Sequence, residues 1–415
     1  MRFSEQLIKT TKEIPSGEQS RNAELLIRGG FIDKTMAGVY TLLPMGLKVL
    51  NHIVRIIREE MESLGAEEIF MPALQPKELW DATGRWDTMD VLYRVHSPDG
   101  SHEFGLGPTH EEVVTPLVKK FILSYRDLPR AVFQIQTKFR FEARAKSGIL
   151  RGREFMMKDL YSFHATETDL LAYYERAAAA YFRVYERLGL TALKVRASGG
   201  AFSDFSHEFQ VIADCGEDLI YHCDACEFAE NKEIATCVEG APCPTCAAGT
   251  IRVSKAVEVG NIFPLYNKFS DAFNFAIKNQ DGTDQKVLMG CYGIGCTRLM
   301  GTIAEVLSDE NGLVWPQQIA PYQIHLIQLG ADDTVAEAAK DIYEKLQSKG
   351  VAVLFDDRTD VKAGEKFADA DLIGIPRRVV VSTKTIQAAS VELKYRATGE
   401  TSLIPVQQFL DEPYV

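Results

Sequence analysis

The chain has 415 residues, 46% hydrophobic and 25% charged, with eight cysteines and a formal net charge of −12. That composition excludes disorder, collagen and coiled-coil rods, and the length calls for two or three domains. The acidic total does not exclude a nucleic-acid partner, because phosphate contacts answer to local charge: residues 131–158 hold seven Lys or Arg against two Glu.

The first ten residues are mixed and charged, without the apolar stretch of a signal peptide, so a soluble, cytoplasmic chain is expected. The longest uncharged stretch, 311–331, contains two prolines and four glutamines, which excludes a membrane span there. In chain order, apolar residues at helical spacing from Leu50 to Leu64 predict a helix over Leu47–Leu64, closed by Gly65. Glu68–Ala73 reads as a strand, with Pro72 at its end. Strands Val132–Arg140 and Glu154–Met157 flank a basic, glycine-containing hairpin loop, Ala143–Gly152. Asp169–Leu188 is helical by periodicity, and a glycine-rich run, Met289–Arg298, enters a further helix. After Pro316–Pro321 the pattern becomes regular: strand 323–328, helix 334–349, strand 351–355, helix 362–373, strand 378–381. That order implies a separate small α/β module with a largely parallel sheet.

Three short patterns carry chemistry. Arg140 and Glu142 lie two residues apart at a strand end, so they share one face. Across the loop stand Arg151, Arg153 and Phe155. Two arginines aimed at one point grip a polyphosphate, and an aromatic beside them stacks a base. A solvated hairpin with surface ion pairs would read the same way. Glycines 290, 293 and 295 let backbone approach a ligand ahead of Arg298, or simply pack closely. Thr109 and Glu111, in Gly107-Pro-Thr-His-Glu-Glu112, can hold an ammonium between a hydroxyl and a carboxylate, or cap a helix.

The cysteines form a fourth pattern. Cys223, Cys226, Cys243 and Cys246 have the spacing C-x2-C-x16-C-x2-C, which fits four thiolates around a structural Zn2+. Cys237 is a poorer substitute by spacing, and Cys291 and Cys296 read as packing residues.

Taken together, the helix–strand ending in Pro72, the Phe139-Arg-Phe-Glu142 hairpin and the glycine run ending in Arg298 resemble the three motifs of class II aminoacyl-tRNA synthetases. In detail the chain resembles the bacterial type of the prolyl-tRNA synthetase family. The resemblance rests on 106–112, 136–140, 153–163, 206–210, 258–263 and 289–298, and on 356–358 and 371–376 in the terminal module. It implies an α+β fold: an antiparallel-sheet catalytic domain over 1–320 with a Cys-rich ribbon insertion at 222–250, and an α/β anticodon-binding domain over 321–415.

The resemblance also implies a reaction, a proline–tRNA ligation in which ATP, with Mg2+, and L-proline give prolyl-adenylate before transfer to tRNA(Pro). Arg140 would hold the α-phosphate and the amino-acid carboxylate. Arg151 and Arg298 would hold the outer phosphates, Phe155 would stack on adenine, and Glu142 would sit near adenine or the acceptor end. Thr109, Glu111 and His207 would bind proline with Arg140, and Arg144 would meet the tRNA acceptor stem. A homodimer is implied, with no membrane and no DNA partner. The alternatives are a paralogue that hands its amino acid to a non-tRNA acceptor, and a retired, non-catalytic tRNA binder. The intact phosphate-binding arginines argue against the second, and the terminal module against the first.

Two departures stand out. The interval from Phe163 to Met289 is too short for the family's large editing domain. Near the expected pocket, the glycine-rich loop before Ser206-His-Glu-Phe209 reads Ala201-Phe-Ser-Asp-Phe205, and Leu265–Ser270 differs as well.

Overall fold

The apolar stripe from Leu50 to Leu64 does form a helix, α1 (Pro44–Ser63), with Leu50, Ile53, Ile57 and Met61 fully buried. Gly65, at φ +78°, reverses the chain, and the N–H of Ala66 returns to the Met61 carbonyl. The coordinates are a computed structural model that describes every residue except 15–17, 19, 144, 146, 201, 414 and 415. By their contacts the residues divide into two compact units, Met36–Val39 with Ile53–Thr302, and Met1–Thr35 with Tyr40–His52 and Ile303–Val415.

The expected strand at Glu68–Ala73 is shorter than predicted. Only β1 (Glu67–Glu68) pairs, parallel to β2 (Arg130–Phe139) at Val132 and Phe133. Beyond Ile69, side chains of β2 replace the ladder: Gln134 accepts from the Met71 N–H at 3.0 Å and Gln136 donates to the Met71 carbonyl. Pro72 has no N–H to offer, so the pairing stops there.

In the larger unit, β2 and β3 (Glu154–His164) form an antiparallel hairpin in register from Arg130↔Phe163 to Phe139↔Glu154. Phe155, Met157 and Asp159 point to one face, while Lys158, Leu160 and Ser162 point to the other. Helix α3 (Glu167–Arg187) covers the second face with Tyr174, Ala177 and Tyr181, and Thr166 caps its start. The sheet continues through β4 (Leu193–Ser198), β5 (Phe205–Ile212), β6 (Asp218–Cys223), β7 (Ala229–Asn231), β8 (Ile251–Tyr266) and β9 (Leu288–Gly295). Its order is β5-β4-β7-β6-β8-β9-β3-β2-β1, and the long β8 also pairs with β5. The glycine run is therefore not a loop. It is β9, between β3 and β8, and α4 (Cys296–Val306) follows it.

The terminal module contains β10 (Ile324–Leu329), α5 (Asp333–Ser348), β11 (Val353–Asp356), α6 (Ala363–Ile373) and β12 (Arg377–Ser382), as the alternation predicted. Two further strands, β13 (Ser390–Tyr395) and β14 (Thr401–Pro405), pair antiparallel, so the sheet is mixed rather than largely parallel. Within it His325 is buried on β10, and neither ring nitrogen has a hydrogen-bond partner among the described residues.

Burial pulls the His325 pKa down to about 4, and burial does the same to His110 in the other unit. The unfolded chain protonates these imidazoles near pH 6.5 and the folded chain only near 4. Stability is therefore complete above about pH 6.5 and falls as pH drops through that window. The thermal midpoint, measured from pH 7 to 4, is expected to fall steeply, and His325→Phe is expected to flatten part of the slope.

Candidate active site

One cleft opens on the face of the sheet that carries Phe155, Met157 and Asp159. At one end lies the turn before α2, a helix of this unit spanning Glu111–Val118. Glu111 opens that helix, where backbone N–H groups favour a negative charge. Its side chain is fully buried: Thr109 donates to one carboxylate oxygen at 2.5 Å and the Cys291 thiol to the other at 3.1 Å. Arg85 stands 3.7 Å away but is bonded to Glu112 at 2.8 Å.

The turn itself is fixed from behind. The N–H of His110 donates to the Tyr161 hydroxyl (3.0 Å), which donates to Asp159 (2.9 Å). Lys138 lies 2.8 Å from Asp159 and 2.7 Å from His110 Nδ1. Burial and the Lys138 charge keep His110 neutral, so its Nε2 carries the hydrogen and donates to the Pro72 carbonyl at 3.1 Å. These buried groups satisfy one another and hold Thr109 and Glu111 in place.

The other end is cationic. Arg140 bonds only a neutral acceptor, the Pro108 carbonyl, with two nitrogens at 3.3 Å, and its guanidinium lies 5.3 Å from the Phe155 ring centre. Among the described residues no carboxylate forms an ion pair with it. Burial, and then the neighbouring Arg298 charge, push its pKa down. A half-buried cation facing a second cation marks a place for an anion. Arg298 donates to the Leu150 carbonyl (2.7 Å), the Glu258 carbonyl (3.0 Å) and the Glu258 carboxylate (3.2 Å). Arg151 bonds Glu142 at 2.8 Å and also reaches Glu217. Both arginines thus have carboxylate partners on the cleft wall, which their sequence neighbours did not disclose.

Between the ends, a Cβ added to Gly293 would meet nothing closer than 3.9 Å, so the strand leaves open space there on the cleft wall. The buried Asn261 carboxamide oxygen, also on the wall, has no partner among the described residues.

The cleft brings together Thr109, Glu111, Arg140, Glu142, Arg151, Phe155 and Arg298. His207 is not among them. In β5 it pairs with Ile262 while Glu208 pairs with Asn261, so alternation turns the imidazole to the α3 face. There Tyr174 donates to the Ile262 carbonyl (3.1 Å) and lies 2.8 Å from His207 Nδ1. Arg144 lies outside the described residues. Arg85 and Glu217 were missed, because their partners are far away in sequence. Asn261 had a visible signal, a carboxamide inside an apolar strand.

The four cysteines converge. Their Sγ atoms all lie within 4.8 Å of one another, with Cys223–Cys246 and Cys226–Cys243 both at 3.7 Å. Four thiolates around a metal at about 2.3 Å would stand roughly 3.8 Å apart, so the set fits a tetrahedral ion. Backbone N–H groups of Ala225, Thr245 and Gly249 point at three of the sulfurs at 3.3–3.4 Å. A Cβ at Gly249 would fall 2.3 Å from the Cys223 sulfur, so only glycine leaves room there. Cys237 packs beside this group without joining it.

Comparison with known proteins gives two family matches: the tRNA synthetase class II core domain (G, H, P, S and T) over residues 93–307, and the anticodon binding domain over 319–412. A proline–tRNA ligase of Zymomonas mobilis is 40% identical, covering 98% of this chain and 97% of its own. One from Geobacillus kaustophilus is 34% identical, covering 99% of each. That second alignment runs over 562 positions against the 415 residues here, so the Geobacillus relative carries a long stretch with no counterpart in this chain. Among solved structures, the Giardia lamblia prolyl-tRNA synthetase in complex with prolyl-adenylate shares the fold at TM-score 0.79 and 21% identity, over 95% of this chain and 78% of that one.

Proposed function

The chain belongs to the proline–tRNA ligase family of class II synthetases, and from that premise we propose how its cleft joins proline to tRNA. ATP and L-proline give prolyl-adenylate and pyrophosphate, and the prolyl group then passes to the 3′ end of tRNA(Pro). One observation carries the assignment of roles: an acidic end, Thr109 with Glu111, adjoins a cationic end, Arg140 with Arg298. A bound proline would place its ammonium at the first and its carboxylate at the second.

In the first step a proline carboxylate oxygen bonds to the α-phosphorus as pyrophosphate leaves in line. No protein nucleophile is needed, so the cleft contributes position and charge neutralisation. Arg140 takes the α-phosphate and the carboxylate. Arg151 and Arg298 exchange Glu142, Glu217 and Glu258 for the outer phosphates, where Mg2+ supplies further neutralisation when bound with ATP. Phe155 stacks on adenine, Glu142 faces the adenine edge or the acceptor end, and Arg144 meets the acceptor stem. Residues 1–320 form the catalytic domain and 321–415 the anticodon-binding domain. Proline-dependent ATP–pyrophosphate exchange, run with all twenty amino acids, tests this: proline is expected to dominate, and exchange driven by another amino acid would overturn it.

Three accompaniments follow. Phe70, Phe121 and Leu123 are each 70–78% exposed, large apolar side chains that a homodimer would cover; sedimentation at twice the chain mass is the check. Cys223, Cys226, Cys243 and Cys246 hold one structural Zn2+, which has no open position for chemistry. No helix among the described residues is long and apolar enough to cross a membrane, and we place the enzyme in the cytoplasm.

Fidelity gives a sharper expectation. Alanine fits where proline fits, and the missing methylenes are worth only about 1–3 kcal/mol each in discrimination. Lacking the long stretch of the Geobacillus relative, this enzyme is expected to form alanyl-tRNA(Pro) and leave it intact. Hydrolysis of preformed alanyl-tRNA(Pro) well above the spontaneous rate would reveal an editing site elsewhere.

A further inference from the structure

The ribbon has almost no core of its own. The apolar cluster inside it is Cys223, Cys243 and Ile251, with Tyr221, Phe228 and the remaining cysteines packed around them. So few apolar groups cannot order a segment of this length, and its order depends on whatever holds the sulfurs together.

The ribbon is also tied to the cleft. Its strand β7 pairs with β6 on one side and meets β4 on the other, at Glu230↔Arg196. Just past β7, the Glu233 carboxylate accepts the N–H of Ser198 at 2.7 Å. Asn231 orients that turn by accepting the Glu233 N–H (3.2 Å), and its own amide donates to Glu208 at 3.0 Å. Ser198 ends β4 and begins the loop that leads to β5. A Cβ at Gly199 would lie 2.0 Å from the Ser203 carbonyl oxygen, so the loop turns back tightly on itself. The turn carries Phe202 onto the cleft wall, 5.0 Å from the Phe263 ring and 4.8 Å from the Arg85 guanidinium, beside Glu111.

We propose that the four-thiolate ribbon supports the amino-acid end of the cleft, so that metal occupancy is read out, through Glu233 and Ser198, as affinity for proline. This rests on the reading of the cysteines as a zinc site. Glu233 is a positioning residue: it touches neither substrate but sets where the Phe202 loop begins. The phosphate-binding arginines have no bond to the ribbon in this path, so ATP binding is expected to be unaffected by its loss.

The experiment compares three variants of the full chain by zinc content and by ATP–pyrophosphate exchange with proline and ATP varied separately. Cys243→Ser with Cys246→Ser is expected to lose the metal and raise the proline KM about tenfold, with the ATP KM within about twofold. Glu233→Ala is expected to keep one zinc per chain yet raise the proline KM about fivefold, the scale of one lost solvent-exposed hydrogen bond. Glu233→Gln, which retains an acceptor, is expected to recover most of that loss. Hydrogen exchange at 198–205 should rise in Glu233→Ala while the cysteine turns stay protected. An unchanged proline KM in Glu233→Ala overturns the proposal, even where the double cysteine variant fails to fold. Absence of zinc from protein made with zinc available overturns the metal reading separately, whatever Glu233→Ala does.

Discussion

Arg298→Ala is expected to lose adenylate formation by about 100-fold or more while the chain still folds, the scale of a missing electrostatic clamp on a reacting phosphate. Its side chain has structural bonds, to the Leu150 carbonyl at 2.7 Å and to Glu258, so some loss of stability accompanies the change. Those bonds bear on stability rather than on rate, because neither the Leu150 carbonyl nor Glu258 is assigned a part in the reaction. The decisive feature is the pairing with Arg140: both guanidiniums line the same cleft, and the Arg298 charge adds to the burial that disfavours the Arg140 cation until an anion arrives. Arg298→Lys keeps the charge but not the planar fork, and is expected to fall between wild type and alanine. Exchange kinetics with ATP varied, alongside a thermal melt, separate the two effects. Near-normal exchange in Arg298→Ala would remove this residue from the phosphate site.

How much of this was legible beforehand depends on whether the needed signal was local. Arg140 with Glu142 and Thr109 with Glu111 are pairs two residues apart, where one-face geometry follows from chain spacing alone. The cysteine set was likewise visible, because a thiolate tetrahedron prescribes its own spacing. Arg298 lines the cleft, at the end of the glycine run that pointed to it. The run before it is a central strand: Gly293 and Gly295 lie where β9 floors the cleft, while Gly290, opposite Ser162, lies on the other face. His207 illustrates the opposite case. A strand residue's face depends on register with its neighbour, and a shift of one position exchanges the two faces. Ser206-His-Glu-Phe209 contains no register information, and the ladder to β8 turns Glu208 rather than His207 towards Asn261. Arg85, Glu217 and Glu233 were illegible for a third reason. Their partners lie 27, 66 and 35 positions away, so only the folded sheet makes them neighbours.

The second large effect is expected from Glu111→Gln: the proline KM rises about 100-fold while the ATP KM changes little, as befits a lost partner for a buried charge. The proline nitrogen, protonated in a ring, presents two N–H donors and one positive charge. Thr109 spends its hydroxyl hydrogen on Glu111 at 2.5 Å, which leaves its oxygen lone pairs for one donor. The carboxylate supplies the charge and accepts the other. Glutamine keeps the shape and one acceptor but removes the charge, and it brings an amide hydrogen towards the Cys291 sulfur instead of accepting from it. Glu112 is the internal contrast. One residue further along α2, it bonds Arg85 at 2.8 Å and Thr83 at 3.0 Å and does not line the cleft. Glu112→Gln is therefore expected to lower stability with little change in the proline KM. If instead Glu111→Gln binds proline within about threefold of wild type but turns over slowly, Glu111 acts on the reacting groups and the ammonium must bind elsewhere.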